Sequence, residues 1–153
     1  MNSNRLKIGF VRRGYSSSGG AEAYLKRLAK GVCDAGHEAH LFTTNDWPPN
    51  EWSFGPITTL AGKTPTQFAD AFEQARPKSV CDVIMSLERV WQCDVYRAGD
   101  GVHRAWLQRR AHYDNALKKI KGIFNRKHRS ILRLEESLLS HGGAKRVIAN
   151  SKL

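Results

Sequence analysis

Three groups of residues in this chain have the types and spacing to do chemistry. The first is Ser16-Ser-Ser-Gly-Gly20 followed by Ala21 and Glu22, set between an apolar run and an amphipathic stretch. Gly19 and Gly20 carry no side chain, so a ligand could reach the unpaired N–H groups at the start of a following helix. The positive end of that helix suits an anion, typically a phosphate. Ser16, Ser17 and Ser18 are of the type that caps helices. The spacing is neither G-x-G-x-x-G nor G-x-x-x-x-G-K-[ST], because four residues without glycine follow Gly14 and no Lys-Ser/Thr closes the loop. A dinucleotide site and a P-loop are therefore both disfavoured. A tight turn with a good cap accounts for the same residues equally well.

The second group is Asp100, held between Gly99 and Gly101 after a strand-like stretch. Its position at the end of a strand makes it a candidate site residue, and an Asx turn before a helix starting near His103 explains it as cheaply. The third group is cationic. The formal charge is +11, and ten Lys and Arg stand against Asp114 alone between residues 103 and 133, so this segment holds +9 of it. Arg104, Arg109, Arg110, Lys118, Lys119, Lys121, Arg126 and Lys127 are interleaved with Trp106, Leu107, Tyr113, Leu117, Ile120, Ile123 and Phe124. That mixture describes a helix lying on an anionic membrane surface, where each basic residue contributes on the order of 1 kcal/mol. Nucleic acid would be attracted too, but no RNP motif or zinc finger accompanies the charge, and the membrane is favoured. A merely solvated face would be less one-sided.

Other chemistries find little support. Cys33, Cys81 and Cys93 match no CxxC pattern and read as free, buried or half-buried thiols. The six His form no H-E-x-x-H, and no metal site is expected. With 41% hydrophobic residues and no apolar stretch of ~18 or more, the chain is expected to be soluble and, by default, cytoplasmic.

The elements that must position these groups alternate between strand and helix. Leu6, Ile8, Phe10 and Val11 are too continuously apolar for a half-exposed strand and predict a central parallel strand covered on both faces. Tyr24, Leu25, Leu28, Ala29 and Val32 recur at helical spacing, and Gly36 ends that helix. Strands are predicted at 40–44, 57–60, 81–86, around 95–98 and at 146–150. Thr64-Pro65 opens a helix through about Ala75 on an N-cap with proline at the first position. Residues 45–52, with two prolines and two asparagines, predict an irregular loop whose Trp47 and Trp52 belong to the core. Ser86-Leu-Glu-Arg89 falls where open α/β sheets place ligands. Two helices are predicted over 102–141, with a break near 121–125, and Glu135 and Glu136 of the second lie opposite the arginines. The sum is one doubly wound α/β domain over 1–153, with a basic helical segment at 103–133.

Strand, Ser18-Gly-Gly-Ala-Glu22 loop, a helix ending in Asp34-Ala-Gly-His-Glu38, strand Leu41-Phe-Thr-Thr44 and a closing Arg146-Val-Ile-Ala-Asn-Ser151 together resemble the N-terminal, Rossmann-like half of a retaining family 4 glycosyltransferase of the GT-B fold. More narrowly, Asp94-Val-Tyr-Arg-Ala-Gly-Asp100 followed by a basic, aromatic helix is similar to lipopolysaccharide core glucosyltransferases. The resemblance implies a domain that mainly binds the acceptor, a phosphorylated lipid-linked glycan. Gly19 and Gly20 would lie against the diphosphate or the transferred sugar, and Asp100, the catalytic candidate, would contact donor sugar hydroxyls. Glu22 would join the glycines in the donor-binding set but ranks below them, since favouring the helix N-terminus electrostatically accounts for it as well. It further implies a nucleotide-sugar co-substrate such as a UDP-hexose, no required metal or other cofactor, and peripheral docking on the cytoplasmic face of an inner membrane. The donor-binding C-terminal domain of that family is absent from the sequence, so the chain alone is expected to be inactive.

Overall fold

The computed structural model describes residues 4–113, 115–118 and 125–150. Six strands, β1 (Lys7–Val11), β2 (Glu38–Thr43), β3 (Ile57–Thr59), β4 (Val83–Ser86), β5 (Cys93–Ala98) and β6 (Ala144–Ala149), form one sheet in the order β3-β2-β1-β4-β5-β6. Every pairing is parallel. The sequence therefore reads correctly as doubly wound α/β, with β1 in the interior of the sheet between β2 and β4.

Helices cover both faces. Helix α1 (Gly20–Asp34) packs Leu25 and Ala29 against Phe10, Leu41, Trp47 and Trp52. On the other face, α2 (Pro65–Gln74) and the helix at Arg126–Leu139 bring Phe68, Phe72 and Leu138 onto Val11, Phe42, Ile84 and Tyr96. Adjacent residues of β1 thus point into different clusters, which is why its apolar run has no polar alternation. Trp47 and Trp52 are 3% and 5% exposed and stack edge-on at 6.2 Å, confirming their core role. Tyr15 meets Trp47 at 5.0 Å and so ties the loop after β1 to this cluster.

Local chemistry sets the boundaries. Thr64 caps α2 in a full capping box: its hydroxyl accepts from the Gln67 amide at 3.2 Å, and the Gln67 carboxamide accepts from the Thr64 amide at 3.3 Å. Residues 45–52 hold one short 3₁₀ turn, Pro49–Glu51. Ser16–Ser18, expected to cap α1, do not. The N-cap is Gly19, which has no side chain to offer, and the Ser16 and Ser18 hydroxyls face each other at 3.4 Å. The basic segment opens with α3 (His103–Ala111), which ends about ten residues before the expected break. The His112 and Tyr113 amides turn to the Arg109 and Arg110 carbonyls at 3.2 and 3.0 Å, closing the helix with a tighter turn. The helix at Arg126–Leu139 is α4, capped by the Asn125 side chain on the Lys127 amide.

Candidate functional site

In this strand order the chain moves outward from β1 to β2 and β3, then crosses back to β4 on the other side of β1. The carboxyl ends of β1 and β4 flank this switch, the place where open α/β sheets leave a crevice. Arg12 and Arg13 follow β1, Leu87, Glu88 and Arg89 follow β4, and the Gly99-Asp100-Gly101 turn follows β5.

The Gly-Gly loop is built around a carboxylate. Glu22, in the first turn of α1, is 4% exposed and bends back to Arg12, Oε1 to Nε at 3.2 Å. Arg12 also reaches Glu88 at 3.7 Å, and Glu88 accepts the Arg13 amide at 3.3 Å. A Cβ on Gly19 would lie 1.7 Å from Oε2 of Glu22, whereas one on Gly20 would meet nothing within 4 Å. A side chain at 19 would thus displace the Glu22 carboxylate from its present position, and Gly20 leaves open space at the helix mouth. Among the described residues no acceptor satisfies the Gly20, Ala21 and Glu22 amides, and Oε2 of Glu22 is buried without a hydrogen-bond partner. Glu22 lies in the first turn of α1, as the helix N-terminus reading requires, and in addition forms an ion pair with Arg12.

Two cavities open here. A smaller one of about 240 Å³ is bounded by Arg12, Arg13, Glu88, Arg89 and Asp100. A larger one of about 820 Å³ runs from Arg13 and Gly14 past Thr44, Asn45 and Asp46 to Lys63. Gly14 adopts φ +72°, a left-handed conformation, and donates its amide to the Thr44 hydroxyl at 3.0 Å, so the loop turns sharply between the cavities. The Asp100 carboxylate is exposed and makes no hydrogen bond or ion pair among the described residues. It is not spent on an Asx turn.

Behind Asp100, Arg89 is held by Glu135 at 3.4 Å and donates to the Gly101 carbonyl at 3.3 Å. Glu135 lies on α4 but is 4% exposed, because it accepts the His103 and Arg104 amides at 2.7 and 3.0 Å and so caps α3 from another helix.

No family model matches the sequence, and no relative among curated proteins does. A solved structure does match: WaaG, described as a glycosyltransferase involved in lipopolysaccharide biosynthesis, aligns over 91% of this chain with a TM-score of 0.67 and 17% sequence identity. The two share a Rossmann-like α/β fold of the kind that forms one half of a GT-B structure. The chain spans 37% of the length of the WaaG structure.

The basic face of this domain lies on α3, on Lys118 beyond it and on the start of α4. Arg104, Arg109, Arg110, Lys118, Arg126 and Lys127 are exposed, and Trp106 is 48% exposed with the Arg110 guanidinium 5.2 Å over its ring. Lys119 and Lys121 lie outside the described residues. His103 stacks on Trp106 and is 2.9 Å from His128 of α4. Burial lowers the His103 pKa, and His128, Arg89 and Lys127 add to that against the opposing pull of Glu135. No helix among the described residues is long and apolar enough to cross a membrane. None of the described His, Cys, Asp or Glu residues gather in groups of three or more that could hold a metal.

The sequence places Gly19, Gly20 and Glu22 together at the start of one helix and Asp100 after a later strand. Asp100 lines the small cavity with Arg12, the partner of Glu22, whereas Gly19 and Gly20 line neither of the two cavities. Arg12 and Arg13 were not singled out, although their place directly after a strand was a signal of the kind that drew attention to Glu88 and Arg89.

Proposed function

We propose that this chain is the acceptor-binding half of a retaining glycosyltransferase that moves a hexose from a nucleotide-sugar, such as a UDP-hexose, to a phosphorylated lipid-linked glycan of the lipopolysaccharide core type. The observation that supports this reading is that, in a fold shared with a glycosyltransferase structure, three unsatisfied helix amides lie in the segment after β1 and an unpartnered carboxylate, Asp100, lies in the turn after β5, both following the carboxyl ends of parallel strands. Preorganised amides suit a diphosphate on which negative charge grows as the glycosidic bond breaks. A free carboxylate suits the hydroxyls of the transferred sugar. Gly20 lets the diphosphate approach the amides, and Glu22 fixes Arg12 without itself meeting the substrate.

In this reading the nucleotide is held mainly by a second, C-terminal domain, and the chain alone does not turn over. The exposed arginines and Trp106 dock the domain on the cytoplasmic face of an anionic inner membrane beside the acceptor. Titration with UDP-glucose, followed by NMR of the amides at 19–22 and 99–101, tests the reading. Shifts confined to those loops and weakened by Asp100→Asn support it. Their absence, or turnover by the 153-residue chain alone, overturns it. A stand-alone membrane-binding module is the alternative, favoured if vesicles bind and UDP-glucose perturbs nothing.

A further inference from the structure

One face of the sheet is only partly covered. On the α1 side, that helix and the Trp47–Trp52 loop bury residues of β1, β2, β3 and β4, and this cluster takes nothing from β5 or β6. A helix is about 10 Å across and strands lie about 4.8 Å apart, so one helix covers about two strands and the bare pair has room for one more. Tyr96 turns to the opposite side, into the cluster under α2 and α4, so Val95 and Arg97 turn to the bare one. The register sets Arg146 beside Val95 and Ile148 beside Arg97 on the same face. Ile148 is 42% exposed, and every residue of β6 after Ala144 is exposed.

This strip is apolar and cationic at once. The Arg97 guanidinium lies 3.8 Å over the Tyr24 ring of α1, and a Cβ on Gly99 would stand 2.6 Å from its Nη1, so the absent side chain at 99 leaves the guanidinium its place. Its Nε is buried without a hydrogen-bond partner, and neither Arg97 nor Arg146 forms an ion pair among the described residues. The arginine head is thus held in position, but no acceptor uses it. Buried polar atoms without a partner are rare in finished domains. Leu28, one turn along α1 from Tyr24, is partly buried and continues the same flank.

The two arginines narrow the choice of cover. A neutral or basic helix laid on this face would bury two cations without partners, which costs more than its apolar contacts return. A second copy of the chain would bring a formal charge of +11 and the same two arginines to the contact. A helix with aliphatic side chains on one stripe and carboxylates beside it satisfies both needs. The six residues of β6 span roughly 20 Å, the length of about 13 helical residues.

We propose that the β5–β6 face beside α1 docks an acidic amphipathic helix of a separate protein, with its aliphatic stripe on Val95 and Ile148 and its carboxylates on Arg97 and Arg146. This surface is on the opposite side of the sheet from α4, so it is distinct from the basic face proposed to meet lipid.

The test is NMR of the full chain titrated with a capped helical peptide of about 14 residues, two repeats of Leu-Glu-Ala-Leu-Leu-Glu-Glu. The controls are the same peptide with Lys for every Glu, and polyglutamate of equal charge. The acidic helix is expected to shift the amides of 95–98 and 146–149 together with those of Tyr24 and Leu28, and to leave 103–111 and 126–130 unmoved. Arg97→Gln and Ile148→Ser should each weaken binding about tenfold, the scale of a central contact in an interface. Arg146→Gln, at an exposed position that the fold does not use, should weaken it severalfold and serves as the second variant if Arg97→Gln fails to fold. Shifts confined to α3 and α4, or equal effects of polyglutamate, reduce the binding to unspecific charge attraction and overturn the proposal. Equal binding of the Lys peptide removes the role of the arginines and overturns it too. So does a dimeric free chain with protected amides at 146–149, which assigns the face to a second copy, and so does the absence of any shift.

Discussion

Gly19 and Glu22 share one space: the position of a Cβ on the glycine lies 1.7 Å from Oε2 of the carboxylate. Gly19→Ala must therefore push Glu22 away from Arg12, an overpacking that costs about 1–3 kcal/mol. Gly20→Ala meets nothing within 4 Å and gains up to about 1 kcal/mol of helix propensity. Thermal melts should show Gly19→Ala several degrees below the wild type and Gly20→Ala at or above it. The opposite order would mean that Glu22 leaves Arg12 freely.

Glu135 joins α3, α4 and the loop after β4 through a single carboxylate. Glu135→Ala removes the acceptor of two α3 amides and the partner of Arg89, at a cost of about 1–3 kcal/mol for the groups left unsatisfied. Hydrogen exchange should accelerate across residues 103–111 while β1 and β2 keep their protection. Uniform acceleration over the whole sheet would show that the carboxylate supports global rather than local stability.

Acid should act first at the opposite end of the sheet. Burial pushes the Asp94 carboxyl up, but hydrogen bonds from Lys145, Lys78 and the Ile84 amide outweigh it and hold the pKa at about 2, below the ordinary carboxylate range. A depressed folded pKa means stability that is present above the unfolded value and lost as pH falls through the folded one. The contribution, on the order of 2 kcal/mol, disappears between about pH 4 and pH 2. Urea titrations of Asp94→Asn should match the wild type near pH 2 and fall below it at pH 7, and a constant difference across that range would contradict the assignment.

The His103–His128 pair gives the basic helix a different pH response. The lowered His103 pKa favours the neutral ring in the folded state, so its contribution is present above about pH 6.5 and is lost as pH drops through the lowered value. Protonation of both rings would also leave two donors facing each other across 2.9 Å. Proton NMR should find His103 titrating below the ordinary histidine range, and His128→Ala should raise its midpoint. A midpoint at 6.5 in both proteins would refute this.

The proposed docking on an anionic membrane would rest on cations that are exposed on α3 and α4. Replacing Arg104, Arg109 and Lys127 together by Gln removes about 3 kcal/mol of attraction, or roughly a hundredfold in binding to anionic vesicles. Co-sedimentation with phosphatidylserine-containing and neutral vesicles measures it. Equal recovery with both lipids rules the surface out.

The framework of the domain was legible because its signals are local. An apolar run without alternation marks β1, Thr64-Pro65 marks the start of α2, and strand ends mark where Asp100 and Glu88 must lie. The pairings that shape the site are not local. Nothing near Glu22 in the sequence announces Arg12 as its partner, and Glu135 looks like a solvent-facing residue of an amphipathic helix until α3 is laid beside it. The end of α3 at Ala111 was hidden for a related reason: apolar residues continue at helical spacing through Leu117, although the backbone has already turned at His112.

The strand order fixes a sequence of events during synthesis. β1 emerges first and finds β2 promptly, but its other neighbour is β4, and the link between Lys7 and Asp82 spans 75 residues. At 5–20 residues per second that is a wait of roughly 4–15 s. During it Phe10 can already be covered by α1, while Val11 lacks the helices of its own cluster. For that interval the middle of the finished sheet is its exposed border, free to pair with any extended segment that passes.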